Sequence, residues 1–391
     1  MRSALPKVLH PLGGLPLLQH VIHAARQLEP ASIHVVYGHG GEQVREALGH
    51  EALNLVLQEQ QLGTGHAVDQ VMAWVSDNDM LLVLYGDVPL IQADTLRHLL
   101  VHAENGGLSV LTATLNDPQG YGRIIRDADG KLAGIVEQKD ASEAQLKIKE
   151  INTGFLAAPA SRLRGWLERL DNSNTQREYY LTDVIAMAVA DGVAVASVSA
   201  ANEYEILGVN DRVQLSTLER IFQRSEAERL MRSGVTLADP GRFDVRGDIS
   251  VGQDCFIDAN VILGGTIKIG NNVNIGAYCL IQNSIIGDDV EILSHCVIQD
   301  AEIGAASRIG PFARIRPETC LADHVHVGNF VEVKKSAVAA GSKINHLSYI
   351  CDTRMGAKVN VGAGTITCNY DGANKHLTEI GNDVFIGSDT Q

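Results

Sequence analysis

The chain has 391 residues, more than one hydrophobic core usually serves, so at least two domains are expected. Its composition, 45% hydrophobic and 20% charged, is typical of a globular protein and excludes a largely disordered one. The net charge of −15 argues against a nucleic-acid or membrane partner held by bulk electrostatics. No run of about 18 apolar residues is present, and the first residues lack the apolar core of a signal peptide. We therefore expect a cytoplasmic protein.

Up to about residue 200, short apolar runs alternate with segments of helical periodicity. Strands buried on both faces are predicted at 31–37, 53–57, 81–85 and 108–113. Helices are predicted at 15–28, 42–48, 64–75 and 94–104. This alternation indicates a Rossmann-like α/β domain with a mostly parallel sheet, in which ligands bind beyond the carboxyl ends of the strands.

Residues 211–233 predict one helix rich in Arg and Glu, interpreted as the linker between a first domain (1–210) and a second (234–391). From about residue 245, Ile-Gly or Val-Gly pairs recur at spacings that include 6, 17 and 18 residues. Three hexapeptides per triangular coil of a parallel β-helix give these spacings. A β-sandwich with chance Ile-Gly pairs is the disfavoured alternative. Glycine is expected to supply backbone freedom at the corners.

A single β-helix offers little curvature for a deep pocket. Sites usually form between neighbouring solenoids, so we expect a homotrimer by analogy with other hexapeptide-repeat proteins. Each cysteine is at least 17 residues from the next, and no CxxC pair occurs. This spacing disfavours a zinc site or redox motif and predicts reduced, buried thiols.

Single motifs in the first domain are weak signals. Asp87 follows an apolar strand, where it could bind a metal or cap a turn. Glycines at 63 and 65 lie at the start of a predicted helix, where backbone amides could bind an anion or simply form a tight turn.

In the second domain, the segments 346–349 and 368–375 carry residues that the repeat does not need. Arg316, Lys334 and Lys335 are 18 and 19 residues apart and could bind a phosphate on one face, although solvated lysines are common on β-helices.

The ordered set of motifs is a much stronger signal. It comprises PKVLH (6–10), LGTGHA (62–67), YGDVP (85–89), GYGRI (120–124), EQ (137–138), INTG (151–154), EYYLTD (178–183), GVN (208–210), GPFARIRP (310–317), VGNFVEVKK (327–335), KINHLSY (343–349) and TCNYDGANK (367–375). Along its whole length the chain resembles the bacterial bifunctional GlmU family, N-acetylglucosamine-1-phosphate uridylyltransferase joined to glucosamine-1-phosphate acetyltransferase. The β-helix of this family is left-handed.

For the first domain, the resemblance implies attack of N-acetylglucosamine 1-phosphate on the α-phosphate of UTP, with release of pyrophosphate. Asp87 and Asn210 would hold Mg²⁺, and Lys7 would contact a nucleotide phosphate. The remaining UTP and UDP-sugar contacts would be Gln58, Gly63 and Thr64 at the uracil, Tyr85, Gly122, Glu137 and Asn152 at the sugar, and Gly86. Positioning and charge neutralisation suffice for such chemistry.

For the second domain, the resemblance implies that His346 is the general base for attack of the glucosamine 1-phosphate amine on acetyl-CoA. Four residues would bind the acceptor sugar phosphate: Arg316, Lys334, Tyr349 and Asn360. Four would contact acetyl-CoA: Ala363, Asn369, Tyr370 and Ser388, with Asn369 and Tyr370 also lining the acceptor site.

The sequence departs from the family pattern at both ends. It begins at the methionine that would close a Gly-rich, phosphate-binding loop, and it stops at Gln391 in mid-coil. We therefore expect a fragmentary or mis-started sequence rather than a natural short form, with impaired nucleotide and coenzyme binding. Two alternatives are open: a single-function nucleotide-sugar pyrophosphorylase with a regulatory β-helix, and a non-catalytic assembly subunit. The segments HLSY (346–349) and NYDGANK (369–375) argue against the first alternative, and the retained Asp87, Asn210 and His346 argue against the second.

Overall fold

The computed structural model describes residues 1–38, 40–49, 51–104 and 106–391. It divides into two compact units, Met1–Leu12 with Pro16–Leu218 and Gly13–Leu15 with Glu219–Gln391. The division falls within the helix Arg212–Arg232. None of the helices in the described ranges is both long and apolar enough to cross a membrane.

The first unit combines helices and strands. Its other α-helices are Leu17–Arg26, Gly41–Leu48, Thr64–Asp69, Ala93–Ala103, Glu143–Leu146, Ala160–Leu167 and Asp183–Ala190, and its 3₁₀ helices are Lys7–Leu9, Met72–Trp74 and Glu203–Ile206. Its strands are His34–Tyr37, Asn54–Leu57, Met80–Val83, Leu108–Thr114, Gly122–Arg126, Leu132–Val136, Glu150–Pro159 and Val195–Ser199. The short strands Pro11–Leu12 and Leu15–Pro16 lie near the start of the chain.

The main sheet of the first unit is organised around Glu150–Pro159. This strand runs antiparallel to Met80–Val83, Leu108–Thr114 and Gly122–Arg126, so these three strands run in one common direction. Val195–Ser199 pairs in parallel with Leu108–Thr114. The core includes Leu108, Phe155 and Ile151, each essentially inaccessible to solvent.

Every strand and helix expected in the first 104 residues is present, within a few residues of its expected bounds. The helix expected at 64–75 is shorter: it ends at Asp69, and a 3₁₀ turn follows at Met72–Trp74. The expectation that all the strands are buried on both faces is wrong for His34–Tyr37, Asn54–Leu57 and Met80–Val83, which are largely half-buried or exposed. In the described chain the first two pair only with each other and Met80–Val83 pairs only with Glu150–Pro159, so none of the three lies inside a larger sheet.

The second unit is a left-handed parallel β-helix with three faces, as predicted. The strands of the first face are Thr236–Leu237, Phe256–Ile257, Asn274–Ile275, Glu291–Ile292, Arg308–Ile309, His326–Asn329, Lys343–His346, Asn360–Val361 and Phe385–Ile386. Phe243–Val251 and Val261–Ile269 each run along the second and third faces. The second face continues with Leu280–Gln282, Val297–Gln299, Arg314–Ile315, Glu332–Lys334 and Tyr349–Cys351, and the third with Ile285–Ile286, Ala301–Ile303, Thr319–Leu321, Ala337–Val338, Thr353–Met355 and Thr378–Ile380. The 3₁₀ turn Pro240–Arg242 precedes these coils.

Stacked aliphatic side chains form the core of this unit. On the first face, Ile275, Ile292 and Ile309 are in register on successive coils and are at most 1% exposed. Side chains alternate across each strand. In every coil, therefore, an aliphatic side chain points into the interior, and the side chains before and after it point to the outer surface. The hexapeptide spacing in the sequence is therefore the spacing between the aliphatic residues that point into the interior.

Glycine serves a different purpose in the coils from the one expected. Left-handed backbone at the corners is adopted mostly by other residues, such as Asn272, Tyr278 and Asp289. The glycines of the Ile-Gly pairs instead allow close approach between coils. A Cβ added at Gly304 would lie 2.5 Å from the backbone carbon of Ala322. The expectation of glycine at the corners holds for Gly265 and Gly341, whose φ values are +70° and +72°, but it is wrong for most glycines of the Ile-Gly pairs, because what those positions lack is space.

Gly304→Ala is expected to lower the free energy of unfolding by about 1–3 kcal/mol, the usual cost of overpacking. Gly134→Ala is the control, because the atom nearest to its added Cβ is 3.9 Å away, which is an ordinary contact distance. Equilibrium denaturation of both variants measures the difference. Equal stabilities would contradict the close-approach argument.

Candidate functional sites

The first candidate site surrounds Asp87, just beyond the carboxyl end of the strand Met80–Val83. The Lys7 Nζ lies 2.5 Å from Asp87 Oδ2 and 3.0 Å from Asn210 Oδ1. The Val209 amide donates a hydrogen bond to the Asp87 carbonyl oxygen at 3.0 Å. Three residues far apart in sequence are therefore brought together at the sheet edge where ligands bind in folds of this kind.

The donor atoms at this edge suit a hard cation. Asp87 supplies a carboxylate and Asn210 an amide oxygen, and both side-chain oxygens contact the same ammonium group of Lys7. Mg²⁺ is usually held by one or two such oxygens, with the rest of its shell supplied by water and substrate phosphates. The described residues include no cluster of three or more His, Cys, Asp or Glu side chains suited to a metal. A site made of one carboxylate and one amide therefore depends on a phosphate ligand.

The second part of this site is the turn from Gln58 to Thr64. The Gln58 Nε2 donates to the Gly63 carbonyl at 3.2 Å and lies 2.9 Å from His66 Nδ1, so the amide orientation is fixed. Gly63 has a φ of +113°, and a Cβ there would lie 2.7 Å from the Tyr179 carbonyl oxygen. Thr64 Oγ1 accepts a hydrogen bond from the Leu181 amide. Position 63 therefore requires glycine, because its φ is positive and because a Cβ would collide with the Tyr179 backbone.

A small cavity brings together two of the four expected sugar-binding residues, Tyr85 and Asn152. Tyr85, Asn152, Gly154 and Thr182 are among the residues that line it. Gly154, with a φ of +90°, allows the Tyr85 ring to approach, because a Cβ would lie 2.4 Å from that ring. Glu137 lies beside the cavity: Thr182 Oγ1 donates to Glu137 Oε1 at 3.0 Å. Polar groups thus converge on an apolar pocket, as in small-ligand sites.

The cavity and its surroundings perturb nearby ionisable groups. Burial raises the pKa of the Glu137 carboxyl, with a further contribution from Asp140, while the Thr182 hydrogen bond opposes the shift. Burial and the charges of Glu137 and Asp87 raise the pKa of Tyr85 to about 12, against a hydrogen bond with Thr64. Tyr85 is therefore a neutral hydroxyl at physiological pH, suited to hydrogen bonding rather than to proton abstraction.

The second candidate site lies on the β-helix around His346, at the end of the first-face strand Lys343–His346. Its Nδ1 lies 3.0 Å from Asn329 Oδ1, the side chain in register on the preceding coil. An amide oxygen only accepts, so Nδ1 carries the proton and Nε2 presents its lone pair. Asn329 thereby sets the tautomer that a general base requires.

Across the next corner, the second face carries three of the four residues predicted to bind the sugar phosphate: Arg316, Lys334 and Tyr349. Arg316 Nη1 forms an ion pair with Glu332 Oε1 at 2.6 Å, and the Glu332 backbone is in register with Tyr349. The Arg316 amide donates to the Val333 carbonyl, which places Arg316 beside Lys334 on the next coil. A hydrogen bond with Cys351, together with burial, raises the pKa of Tyr349 to about 12. Two cations and a neutral phenol therefore share one outer surface.

The remaining predicted residues occupy neighbouring positions. Asn360 is in register with Lys343 on the first face. The Asp389 amide donates to the Ala363 carbonyl at 2.8 Å, so Ser388 stacks near Ala363. Asn369 is buried, whereas the adjacent Tyr370 is 60% exposed. The idea that Arg316, Lys334 and Lys335 stack on one face is wrong for Lys335, because its left-handed backbone, with a φ of +46°, turns the corner.

Several residues of these sites are absent from the sequence-based set: Thr182, Asn329, Glu332 and Asp352. Asn329 and His346 are 17 residues apart, as are Asp352 and Asn369, so the coil period could have identified those pairs. Thr182 and Glu137 are 45 residues apart, and no local periodicity links them.

The cysteines are all free, as expected, but burial holds for only part of the set. Cys255, Cys279, Cys296 and Cys351 are buried, whereas Cys320 and Cys368 are exposed. Cys320 is the middle residue of a three-residue strand whose two outer residues point inward, so its side chain points outward. Side-chain alternation thus overturns the general expectation of buried thiols.

Two family models match parts of the chain. Residues 1–203 match the family model of the MobA-like NTP transferase domain, and residues 245–346 match that of the GMPPB C-terminal domain. A solved UDP-glucose pyrophosphorylase bound to UDP-glucose is 15% identical with a TM-score of 0.47, covering 56% of this chain and 91% of that one. So distant a likeness has no bearing on the function.

Closer relatives match the chain from end to end. The bifunctional protein GlmU of Alkalilimnicola ehrlichii is 55% identical over 391 residues, covering 100% of this chain and 84% of that protein. The corresponding protein of Pseudomonas entomophila is 57% identical over 388 residues, covering 99% and 85%. That of Aromatoleum aromaticum is 56% identical, covering 100% and 86%. The chain therefore belongs to the bifunctional GlmU family, which confirms the predicted enzyme class, a nucleotidyltransferase joined to an acetyltransferase.

Proposed function

We propose that the protein carries out the last two steps of UDP-N-acetylglucosamine synthesis, acetyl transfer on the β-helix and then uridylyl transfer in the first domain. The observation that carries this proposal is the pair of separate side-chain clusters, one around Asp87 and one around His346. In this proposal residues 1–210 form the uridylyltransferase domain, 211–233 the linker and 234–391 the acetyltransferase domain. The product would supply peptidoglycan and lipopolysaccharide precursors.

In uridylyl transfer, a phosphate oxygen of N-acetylglucosamine 1-phosphate forms a bond to the α-phosphorus of UTP. The bond from that phosphorus to the bridging oxygen breaks, and pyrophosphate leaves. Mg²⁺ held by Asp87 and Asn210 would supply charge neutralisation, which is the main requirement of phosphoryl-type transfer. Lys7 adds a positive charge at the same place.

The other first-domain residues position the two substrates. The uracil edge would be contacted by Gln58, Gly63 and Thr64. In support, the Gln58 amide and the Thr64 hydroxyl are held in place by hydrogen bonds to the Gly63 carbonyl and from the Leu181 amide. Tyr85, Gly122, Glu137 and Asn152 would hold the acetylated sugar, and Gly86 would allow its close approach. In support, Tyr85 and Asn152 line one cavity with Thr182, and Thr182 donates a hydrogen bond to Glu137.

In acetyl transfer, the amine nitrogen of glucosamine 1-phosphate forms a bond to the thioester carbonyl carbon of acetyl-CoA. The carbon–sulfur bond breaks, and the coenzyme leaves as a thiol. His346 Nε2 takes the amine proton, a role supported by the hydrogen bond that keeps Nδ1 protonated. Arg316, Lys334, Tyr349 and Asn360 would bind the sugar phosphate, and Ala363, Asn369, Tyr370 and Ser388 the coenzyme.

Two assays on the purified protein test this function directly. One follows pyrophosphate release from UTP and N-acetylglucosamine 1-phosphate in the presence of Mg²⁺. The other follows free thiol from acetyl-CoA and glucosamine 1-phosphate. A pyrophosphorylase with an idle β-helix would give the first product alone, and a non-catalytic assembly subunit would give neither.

We expect the protein to be a cytoplasmic homotrimer assembled through the β-helix. The residues proposed for acetyl transfer lie on outer surfaces of the coils, where His346 and Tyr370 are exposed, and a trimer would enclose them. Light scattering should give three times the mass of the chain. A monomer that still transfers acetyl groups would contradict this prediction.

A further inference from the structure

One corner of the β-helix carries a ladder of polar residues on successive coils. Lys335, Asp352 and Asn369 follow one another at intervals of 17 residues, one coil apart. Lys335 and Asp352 both have left-handed backbone, with φ of +46° and +45°. The Asp352 amide donates to the Lys334 carbonyl at 3.1 Å, which fixes the stacking of these two coils.

Asp352 is the buried centre of this ladder. Its side chain is 10% exposed, with Oδ1 lying 3.9 Å from Lys335 Nζ. The other oxygen, Oδ2, accepts a hydrogen bond from Asn369 Nδ2, and the Asn369 residue is 8% exposed. Because an ionised carboxylate only accepts, it binds the NH₂ side of the Asn369 amide and turns the amide oxygen away.

Asn369 also anchors the loop that follows it. Its backbone carbonyl accepts a hydrogen bond from the His376 amide at 2.7 Å, which closes the intervening segment. Tyr370 lies in that segment with an exposed side chain, 60% accessible. The next strand begins at Thr378, 25 residues after the strand that begins at Thr353, so this coil is longer than its neighbours. A longer coil has fewer repeat contacts to hold it, and the Asp352–Asn369 hydrogen bond supplies one.

We propose that Asp352 is a positioning residue for acetyl transfer: its carboxylate orients the Asn369 amide and anchors the loop that presents Tyr370. This inference rests on the proposed function, because Asn369 and Tyr370 are proposed there to contact acetyl-CoA. Asp352 itself touches no substrate. Its effect passes through Asn369.

Three substitutions separate the roles of the carboxylate. Asp352→Ala removes the acceptor, and Asp352→Gly does so without forcing a Cβ into left-handed backbone. Asp352→Asn keeps one acceptor oxygen and should rescue the Asn369 contact. Asp300→Gly is the matched control: Asp300 occupies the equivalent corner with a φ of +46° and accepts a hydrogen bond from Asn283 on the neighbouring coil, away from His346 and Asn369.

We expect kcat/KM for acetyl transfer to fall roughly tenfold in Asp352→Ala and Asp352→Gly, the scale for a buried donor left without its acceptor. Asp352→Asn should recover most of that loss, and Asp300→Gly should match the parent. In an Asn369→Ala background, Asp352→Gly should cause little further loss, because the carboxylate acts through the missing amide. Equal losses in the two backgrounds would overturn the proposal, as would unchanged kcat/KM in Asp352→Gly.

Hydrogen exchange provides a readout independent of activity. Backbone amides of residues 369–377 should exchange faster in Asp352→Gly than in the parent, and those of Asp300→Gly should not change in this segment. If the parent protein had no acetyl-transfer activity but Asp352→Gly still exchanged faster, the anchoring role would be supported and the proposed function rejected. Unchanged exchange in an active parent and its variant would reject the anchoring role alone.

Discussion

Asp87→Ala is expected to lower uridylyl transfer by roughly 10²–10³-fold or more and to leave acetyl transfer unchanged. The carboxylate lies 2.5 Å from the Lys7 ammonium and, with Asn210, supplies the oxygens proposed to hold Mg²⁺. Its removal takes away charge stabilisation where the transferred phosphate would lie, which is usually the largest single contribution to catalysis of this kind. Pyrophosphate release and thiol release, measured on the same preparation, give the two rates.

Asp94→Ala is the control for this prediction. Asp94 is a carboxylate of the same unit, but its side chain is 88% exposed and pairs with Arg97 on the same helix. Both activities should survive that change. Loss of both activities in a folded Asp87→Ala protein would contradict the assignment of the two reactions to separate domains.

In the first domain, local sequence patterns predict where strands lie but not how they are arranged in the sheet. The runs at 81–85 and 108–113 predict strands that the structure places at Met80–Val83 and Leu108–Thr114. The sequence does not indicate that Glu150–Pro159 runs antiparallel to both and lies between them. Strand direction depends on how the chain returns to the sheet, and an apolar run reads the same in either direction. The cluster of Lys7, Asp87 and Asn210 likewise follows from the fold, and resemblance alone predicted it.

In the β-helix, sequence spacing carries three-dimensional information. A residue and its neighbour on the next coil are about 17 positions apart, so the contacts of His346 with Asn329 and of Asp352 with Asn369 were in principle available from the period. The sequence motifs instead group residues that are close together in the sequence, such as His346 and Tyr349. The role of glycine was misjudged for a related reason: the period shows where glycine recurs, but only the stacked coils show that a Cβ would collide with the next coil.

His346→Ala is expected to lower acetyl transfer by roughly 10²-fold or more, the usual scale for the loss of a general base. The Asn329 amide oxygen accepts a hydrogen bond from His346 Nδ1, so the proton lies on Nδ1 and the free lone pair on Nε2. Nε2 is therefore the atom that can accept the amine proton. Uridylyl transfer should be spared, because none of its proposed residues belongs to the β-helix. Thiol release from acetyl-CoA and pyrophosphate release from UTP, measured on the same preparation, give the two rates.

The matched comparison uses two histidines replaced by the same residue. His346→Asn removes the base while keeping a polar side chain, and His324→Asn changes another exposed histidine, at a corner with a φ of +60° where asparagine is well tolerated. Acetyl transfer should fall about as far in His346→Asn as in His346→Ala and should be unchanged in His324→Asn. If His346→Asn retained the rate of the parent, proton transfer would have to be assigned to a different group, and the tautomer set by Asn329 would have no catalytic consequence.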